Sequence, residues 1–345
     1  MKSGENDRMK LATYKDGSRD GQLVVVSRDL TQAHYASHVA NRLQQVLDDW
    51  NFLSPQLQDI FDALNAGRAR HAFPFDPAQC MAPLPRAYQW VSAAAYPGHT
   101  DLLRQAAGLP ALQERAAGPE MAQGTGDALL GANDALLCAT EALGLDFGAG
   151  VAVITGDIPQ ACAADRALDG VRLLMLYNDV TLRSLVSTQG TPGAAAVQSK
   201  CATAFSPVAI TPDELGEAWA RGRVNLPLLT SWNGRKVGLC EAGADMGCHF
   251  GQLLSLLAKT RPLRAGSIVG AGPVSNAGVE KKGQWSWPKG FHSIAEKRAM
   301  ETVQDGQAAT EYLRYGDTVH IDMQDAAGHS LFGAIEQEMV PLSLG

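Results

Sequence analysis

The stretch from Gly144 to Asp157, GLDFGAGVAVITGD, holds an apolar run, Val-Ala-Val-Ile-Thr, entered through two glycines placed two residues apart. A β-branched run bounded by glycines predicts a strand. Residues i and i+2 of a strand point to one side, so Gly148 and Gly150 leave a stretch of one face free of side chains. Outward from this strand, short β-rich runs recur between turns: VRLLMLYND, ATAFSPVAIT, VNLPLLTSWNG, SIVGAG, TVHIDMQD and SLFGAI. Their number and length, with many ended by Gly or Asn-Gly, predict an α+β, β-rich fold, a mixed β-sheet roll rather than a doubly wound sheet. Two helical patterns interrupt them. One starts at Asp165 (DRALDGVRLL), and the other is GCHFGQLLSLLAKTR, whose Phe250, Leu253, Leu254 and Leu257 share a face.

Residues 1–8 are polar and read as an extension, with no apolar core of a signal peptide behind them. Residues 9–82 read as a small N-terminal domain, a hairpin-like start followed by helical patterns around 34–66. The prolines of FPFDP and APLPRAY mark its exit into a larger domain, 83–345. The chain has 345 residues, and its 29 Lys and Arg against 36 Asp and Glu give a net charge of −7 without a basic stripe, which argues against a nucleic-acid partner. Its apolar runs are too short to span a bilayer, so no membrane partner is expected. Six cysteines without a C-x-x-C pair point to a reducing compartment, with the cytoplasm as the default.

AVITGD, YNDVTLR, QSKCATAFSPVAITPDELG, HFGQLLSLLAKTRPLRAGSIVGAGPVSN, SIAEKR and YGDTVHIDM, in this order, resemble the fumarylacetoacetate hydrolase family over roughly residues 9–337. The resemblance implies a mixed β-roll catalytic domain behind a small N-terminal domain, a homodimer, and cleavage or tautomerisation of small keto or enol acids. It also implies a hard cation, Mg2+ or Ca2+, held by four carboxylates. The family strand reads D-F-E-x-E-V-A-V, and here its two glutamates are Gly148 and Gly150. Ser92 of QWVSAAAY stands for the aspartate of Q-W-x-D-G-S-A-Y, leaving Asp179 as the one retained carboxylate. One carboxylate does not build a hard-cation site, so no metal or other cofactor is expected. Ala122 replaces a tyrosine, Ala107 a basic residue after the histidine, and Pro273 a threonine of the substrate shell.

By the same resemblance, His99 aligns with the histidine that activates water, Glu296 with the carboxylate that orients it, and Lys200 and Arg183 with cations that hold substrate oxygens. Asp179, Ser92, Gly148, Gly150 and Gln198 are expected to line the substrate site. Each has a plainer reading: His99 as a loop histidine, Asp179 with Arg183 as a salt bridge four residues apart, Lys200 as a solvated strand-end lysine, Glu296 as part of a surface charge cluster. His249 and Cys248 read as packing residues. The tryptophans of KKGQWSWPKG read equally as a dimer contact or a pocket wall. Two functions follow: an enzyme working without a metal on a small keto/enol compound by C–C hydrolysis, decarboxylation, tautomerisation or cyclisation, or an inactive relative kept for binding or dimerisation.

Overall fold

The computed structural model describes residues 8–110, 118–186 and 197–342. Among them, twelve strands form one mixed sheet. Ten of them run in order from the edge strand 73–74 through Gln32–Tyr35, Gln22–Val26, Lys10–Tyr14, Val208–Ile210, Val171–Leu182, Ala149–Thr155, Ser267–Gly270 and Gln89–Ala93 to Met121–Gln123, and Ala202–Phe205 and Leu145–Asp146 pair with Val171–Leu182 off this path. Lys10–Tyr14 pairs antiparallel with Val208–Ile210, so the N-terminal hairpin extends the sheet of the larger domain. A second sheet of five strands is built on Pro227–Trp232, Arg235–Glu241 and Thr318–Met323.

The apolar runs are continuous because the large sheet is covered on both faces. Val151 and Val153 enter one hydrophobic cluster while Ala152 and Ile154 enter the other, and Leu174 and Leu176 alternate likewise with Leu173 and Met175. The second cluster also takes Leu43, Val46, Leu57 and Phe61 from the N-terminal helices, which seal that face. Burying each such Val, Ile or Leu contributes roughly 1.5–3 kcal/mol.

Two local expectations shift. The helix predicted from Asp165 is short, Ala164–Leu168, and Val171 already starts a twelve-residue strand, because Gly170 ends the helix and LLMLY suits a sheet buried on both faces. Residues Gln32–Tyr35 are a strand rather than the start of the helical region, which runs as Leu43–Asp48 and Trp50–Asn65. None of the described helices is long and apolar enough to cross a membrane.

Candidate functional site

The site lies where one apolar row of the large sheet turns polar. Gly150 is directly opposite Tyr177, and Asp179 donates its backbone N–H to Gly148 at 2.9 Å, so the row Leu173, Met175, Tyr177, Asp179, Thr181 runs beside Ile154, Ala152, Gly150, Gly148. Ser92 follows Trp90 on the neighbouring strand, level with Gly270. Past Tyr177 a cavity of about 390 Å³ opens. Ser92, His99, Arg104, Gly148, Asp179, Thr181, Arg183 and Lys200 line it, together with the apolar Ala94, Leu103, Met121, Ala122 and Pro273.

At one corner two helices meet by their first turns. His99 is the third residue of Pro97–Ala106, a helix begun by a proline, and Glu296 is the third of Ile294–Asp305, begun by Ser293. His99 Nδ1 lies 3.4 Å from Glu296 Oε1, with the two side chains 11% and 1% exposed. Ser275 Oγ donates to Glu296 Oε1 at 2.5 Å and the His292 backbone N–H to Oε2 at 3.3 Å. Burial by itself would raise the Glu296 carboxyl, but the His99 hydrogen bond and charge, with Ser275, outweigh it and hold the group below its usual range. Glu296 is therefore a buried carboxylate and not part of a surface charge cluster. Behind it, His292 is fully buried, with Nδ1 2.7 Å from Thr230 Oγ1 and Nε2 accepting from the Cys240 N–H at 3.3 Å. Burial pushes it down to about 4, so it is neutral at pH 7.

At the opposite corner, Lys200 Nζ donates to Asp179 Oδ2 at 2.8 Å and Thr181 Oγ1 at 2.9 Å. Arg183 does not pair with Asp179. Its Nε donates to Asp146 Oδ2 at 2.8 Å, and Asp146, fully buried, also accepts the N–H groups of Ile294 and Ala295 at 2.6 and 3.1 Å. The reason is geometric: residues four apart on an extended strand are roughly 13 Å apart, whereas an i,i+4 pair needs a helix. Asp146 thus ties Arg183 to the start of the helix that carries Glu296.

The donors in this cavity do not fit a hard cation. Asp179 already carries an ammonium, and Gly150 faces protein instead of the cavity: a Cβ there would sit 2.5 Å from the Gly272 carbonyl and 2.7 Å from Tyr177 Oη. Tyr177 is fully buried, accepts the Gly272 N–H at 2.7 Å and is raised by burial despite hydrogen bonds from Ser92 and Gly272. A Cβ at Gly148 would lie 2.9 Å from the Asp179 carbonyl. Among the described residues, no group of three or more His, Cys, Asp or Glu is placed to hold a metal ion. Six or more oxygens are what Mg2+ or Ca2+ requires.

Of the expected site residues, His99, Ser92, Gly148, Asp179, Arg183 and Lys200 share the cavity and Glu296 stands behind His99. Gln198 is exposed and Gly150 is closed off; neither lines it. Arg104, five residues after His99 on the same helix, does line it, whereas Ala107 is exposed and does not. Trp285 and Trp287 stack on each other at 6.0 Å in a hairpin beside the Glu296 helix, and neither lines this cavity. His249 precedes the helix Phe250–Leu257, and its backbone N–H donates to Gln252 Oε1 at 3.0 Å.

Residues 9–86 match the fumarylacetoacetase N-terminal domain 2 model, and residues 89–340 match the fumarylacetoacetate hydrolase C-terminal model. The chain belongs to the fumarylacetoacetate hydrolase family. Its fold is shared with solved structures of low identity. A probable 2-hydroxyhepta-2,4-diene-1,7-dioate isomerase from Mycobacterium abscessus aligns over 97% of this chain and 99% of its own, at 17% identity and a TM-score of 0.66. Fumarylacetoacetate hydrolase from the psychrophilic Exiguobacterium antarcticum covers 97% and 100%, at 15% and 0.64. Maleylpyruvate hydrolase from Sphingobium sp. SYK-6, solved with manganese(II) and pyruvate, covers 96% and 99%, at 14% and 0.61. No curated protein gave a significant match.

Proposed function

We propose that this fumarylacetoacetate hydrolase-family chain is an enzyme that moves a proton at the carbon beside a carbonyl in a small keto or enol acid, without a divalent metal. The observation that carries the reading is the presence in one cavity of a His99–Glu296 pair and, facing it, a lysine ammonium fixed on the retained Asp179. With Nδ1 3.4 Å from the Glu296 carboxylate, His99 presents Nε2 as a base. It takes the proton from the α-carbon, the electron pair moves to the carbonyl oxygen, and Lys200 stabilises the oxygen's negative charge. The proton then returns to carbon or goes to a leaving group. Hydrolysis, decarboxylation, tautomerisation and cyclisation of keto acids all pass through such an enol or enolate. Arg104 offers a cation for a substrate carboxylate.

The Sphingobium relative was solved with manganese and pyruvate; here the cationic role falls to Lys200. A homodimer in the cytoplasm, taking a small-molecule substrate, belongs to the same proposal. The test is exchange of α-protons for deuterium in a panel of small keto acids, followed by proton NMR with EDTA and with Mg2+ or Mn2+. Exchange that is insensitive to chelator and lost in His99→Ala supports the enzyme. Stoichiometric metal with metal-dependent exchange would overturn the metal-free reading, and no exchange across the panel would favour a binding protein.

A further inference from the structure

The strand row that carries Gly150 and Gly148 has one more member. Leu145–Asp146 pairs antiparallel with Val171–Leu182, with Asp146 opposite Thr181, so Asp146 follows the two glycines along the same face. It is fully buried and does not line the cavity, yet it touches groups at both corners. On one side its Oδ2 accepts the Arg183 Nε–H at 2.8 Å. Arg183 lines the cavity beside Lys200: the Leu182 N–H donates to the Ser199 carbonyl at 2.8 Å, and Thr181, opposite Asp146, accepts from Lys200. On the other side Asp146 accepts the N–H groups of Ile294 and Ala295, the first two residues of the helix whose third is Glu296. A carboxylate at a helix start satisfies donors that have no partner within the helix and suits the dipole there. One buried anion is thus shared by a cation of the Lys200 corner and the helix turn of the His99 corner.

We infer that Asp146 is a positioning residue for the proposed reaction: it aims the Arg183 guanidinium into the cavity and fixes the turn from which Glu296 orients His99, so that the two corners keep one spacing. This rests on the proton-transfer reading of the cavity, and deepens it. Asparagine at 146 keeps the shape but exchanges one acceptor oxygen for an NH2 group. Because Oδ1 receives Ile294 and Oδ2 receives Ala295, a helix-start N–H faces a donor in either orientation of the amide, and in both the charge that holds Arg183 is gone.

Asp146→Asn in the full chain, read by α-proton exchange and by the 15N signals of the His99 ring, tests this. Exchange should lose roughly tenfold in kcat, through Glu296 and His99, and its KM should rise roughly tenfold, through Arg183, the factor for one hydrogen bond to a charged group in each case. The ring signals, which report the nitrogen that carries the proton, should move away from the Nδ1–H form. Glu301→Gln is the control: it weakens another buried carboxylate of the same helix, which accepts the Ala309 and Thr310 N–H groups, and should lower the urea midpoint while leaving kcat, KM and the ring signals in place. An Asp146→Asn chain that behaves like this control overturns the inference. If that variant does not fold, Arg183→Met keeps Asp146 and removes its cation; amide exchange of Ile294 and Ala295 should then quicken about tenfold while Ala309 and Thr310 stay as they were, and unchanged exchange at Ile294 and Ala295 overturns the inference. Failure of the proton-transfer reading looks different: wild type exchanges no α-proton, while Asp146→Asn still moves the His99 ring signals.

Discussion

The two corners of the cavity handle charge in opposite ways. At the His99 corner one buried carboxylate, Glu296, lies 3.4 Å from the His99 ring nitrogen and accepts the Ser275 hydroxyl and the His292 N–H. At the Lys200 corner a near-buried carboxylate, Asp179, is answered by one half-buried cation, with the Thr203 hydroxyl donating at 3.5 Å. The first is rigid and suited to passing a proton, because His99 and Glu296 sit on two helix starts and the groups around Glu296 are buried. The second supplies a positive charge that can shift with a ligand. In the proposed reaction, proton transfer falls on the first corner and electrostatic stabilisation on the second.

The largest effect should come from breaking the rigid corner. Glu296→Gln keeps the shape but removes the charge that orients His99, and α-proton exchange should fall about 10²–10⁴-fold, the usual worth of a positioned acid–base group. Little change would move the base elsewhere. The same corner sets acid stability. His292 has a folded pKa of about 4 against an ordinary 6.5, so the unfolded chain binds a proton that the folded one refuses. Its stabilising contribution is complete above pH 6.5 and is lost as pH falls from there to about 4, on the order of 3 kcal/mol in all. Glu296, also lowered, adds a loss only below its usual 4.5. Urea midpoints measured between pH 7 and 4 should therefore fall in wild type, and the slope above pH 4.5 should flatten in His292→Asn. An unchanged slope would mean that His292 is charged in the fold.

Breaking the adaptable corner should cost less. Lys200→Met leaves Asp179, 3% exposed, without its cation, and removal of one partner of a buried pair costs about 3–5 kcal/mol. Lys200 is itself 22% exposed, so solvent reaches the pair and about 2 kcal/mol is the expected loss. Lys200→Met/Asp179→Asn should recover most of it in chemical unfolding while staying inactive. Equal destabilisation in the single and double variants would show that the pair does not matter to the fold.

The contrast also marks what the amino-acid sequence could reveal. The strands were legible because period and β-branching act locally, and His99, Glu296 and Lys200 were candidates only through the resemblance of their segments to the family. Arg183 was legible as a site residue but not its partner, since Asp146 lies 37 positions away and meets it only when two strands and a helix start converge. Arg104 was missed because helix geometry, not counting along the chain, brings it to the wall. The role of Tyr177 was hidden in cross-strand register, which places it opposite Gly150.

That register supports the smallest but most discriminating prediction. If the cavity were a metal site merely short of ligands, Gly148→Glu/Gly150→Glu would restore divalent binding. The surrounding backbone argues otherwise. A Cβ at 150 meets the Gly272 carbonyl at 2.5 Å and Tyr177 Oη at 2.7 Å, and at 148 the Asp179 carbonyl at 2.9 Å, so each side chain has to push main chain aside. Overpacking of this kind costs about 1–3 kcal/mol. Gly150→Ala alone should therefore lower the urea midpoint, and Tyr177→Ala in the same chain should not fully rescue it, because the Gly272 carbonyl remains. The double glutamate variant should bind no Mn2+ in a paramagnetic relaxation titration while Lys200 still holds Asp179. Tight Mn2+ binding by that variant would show that the rigid backbone around the glycines yields, and that the two corners differ less than their hydrogen bonds indicate.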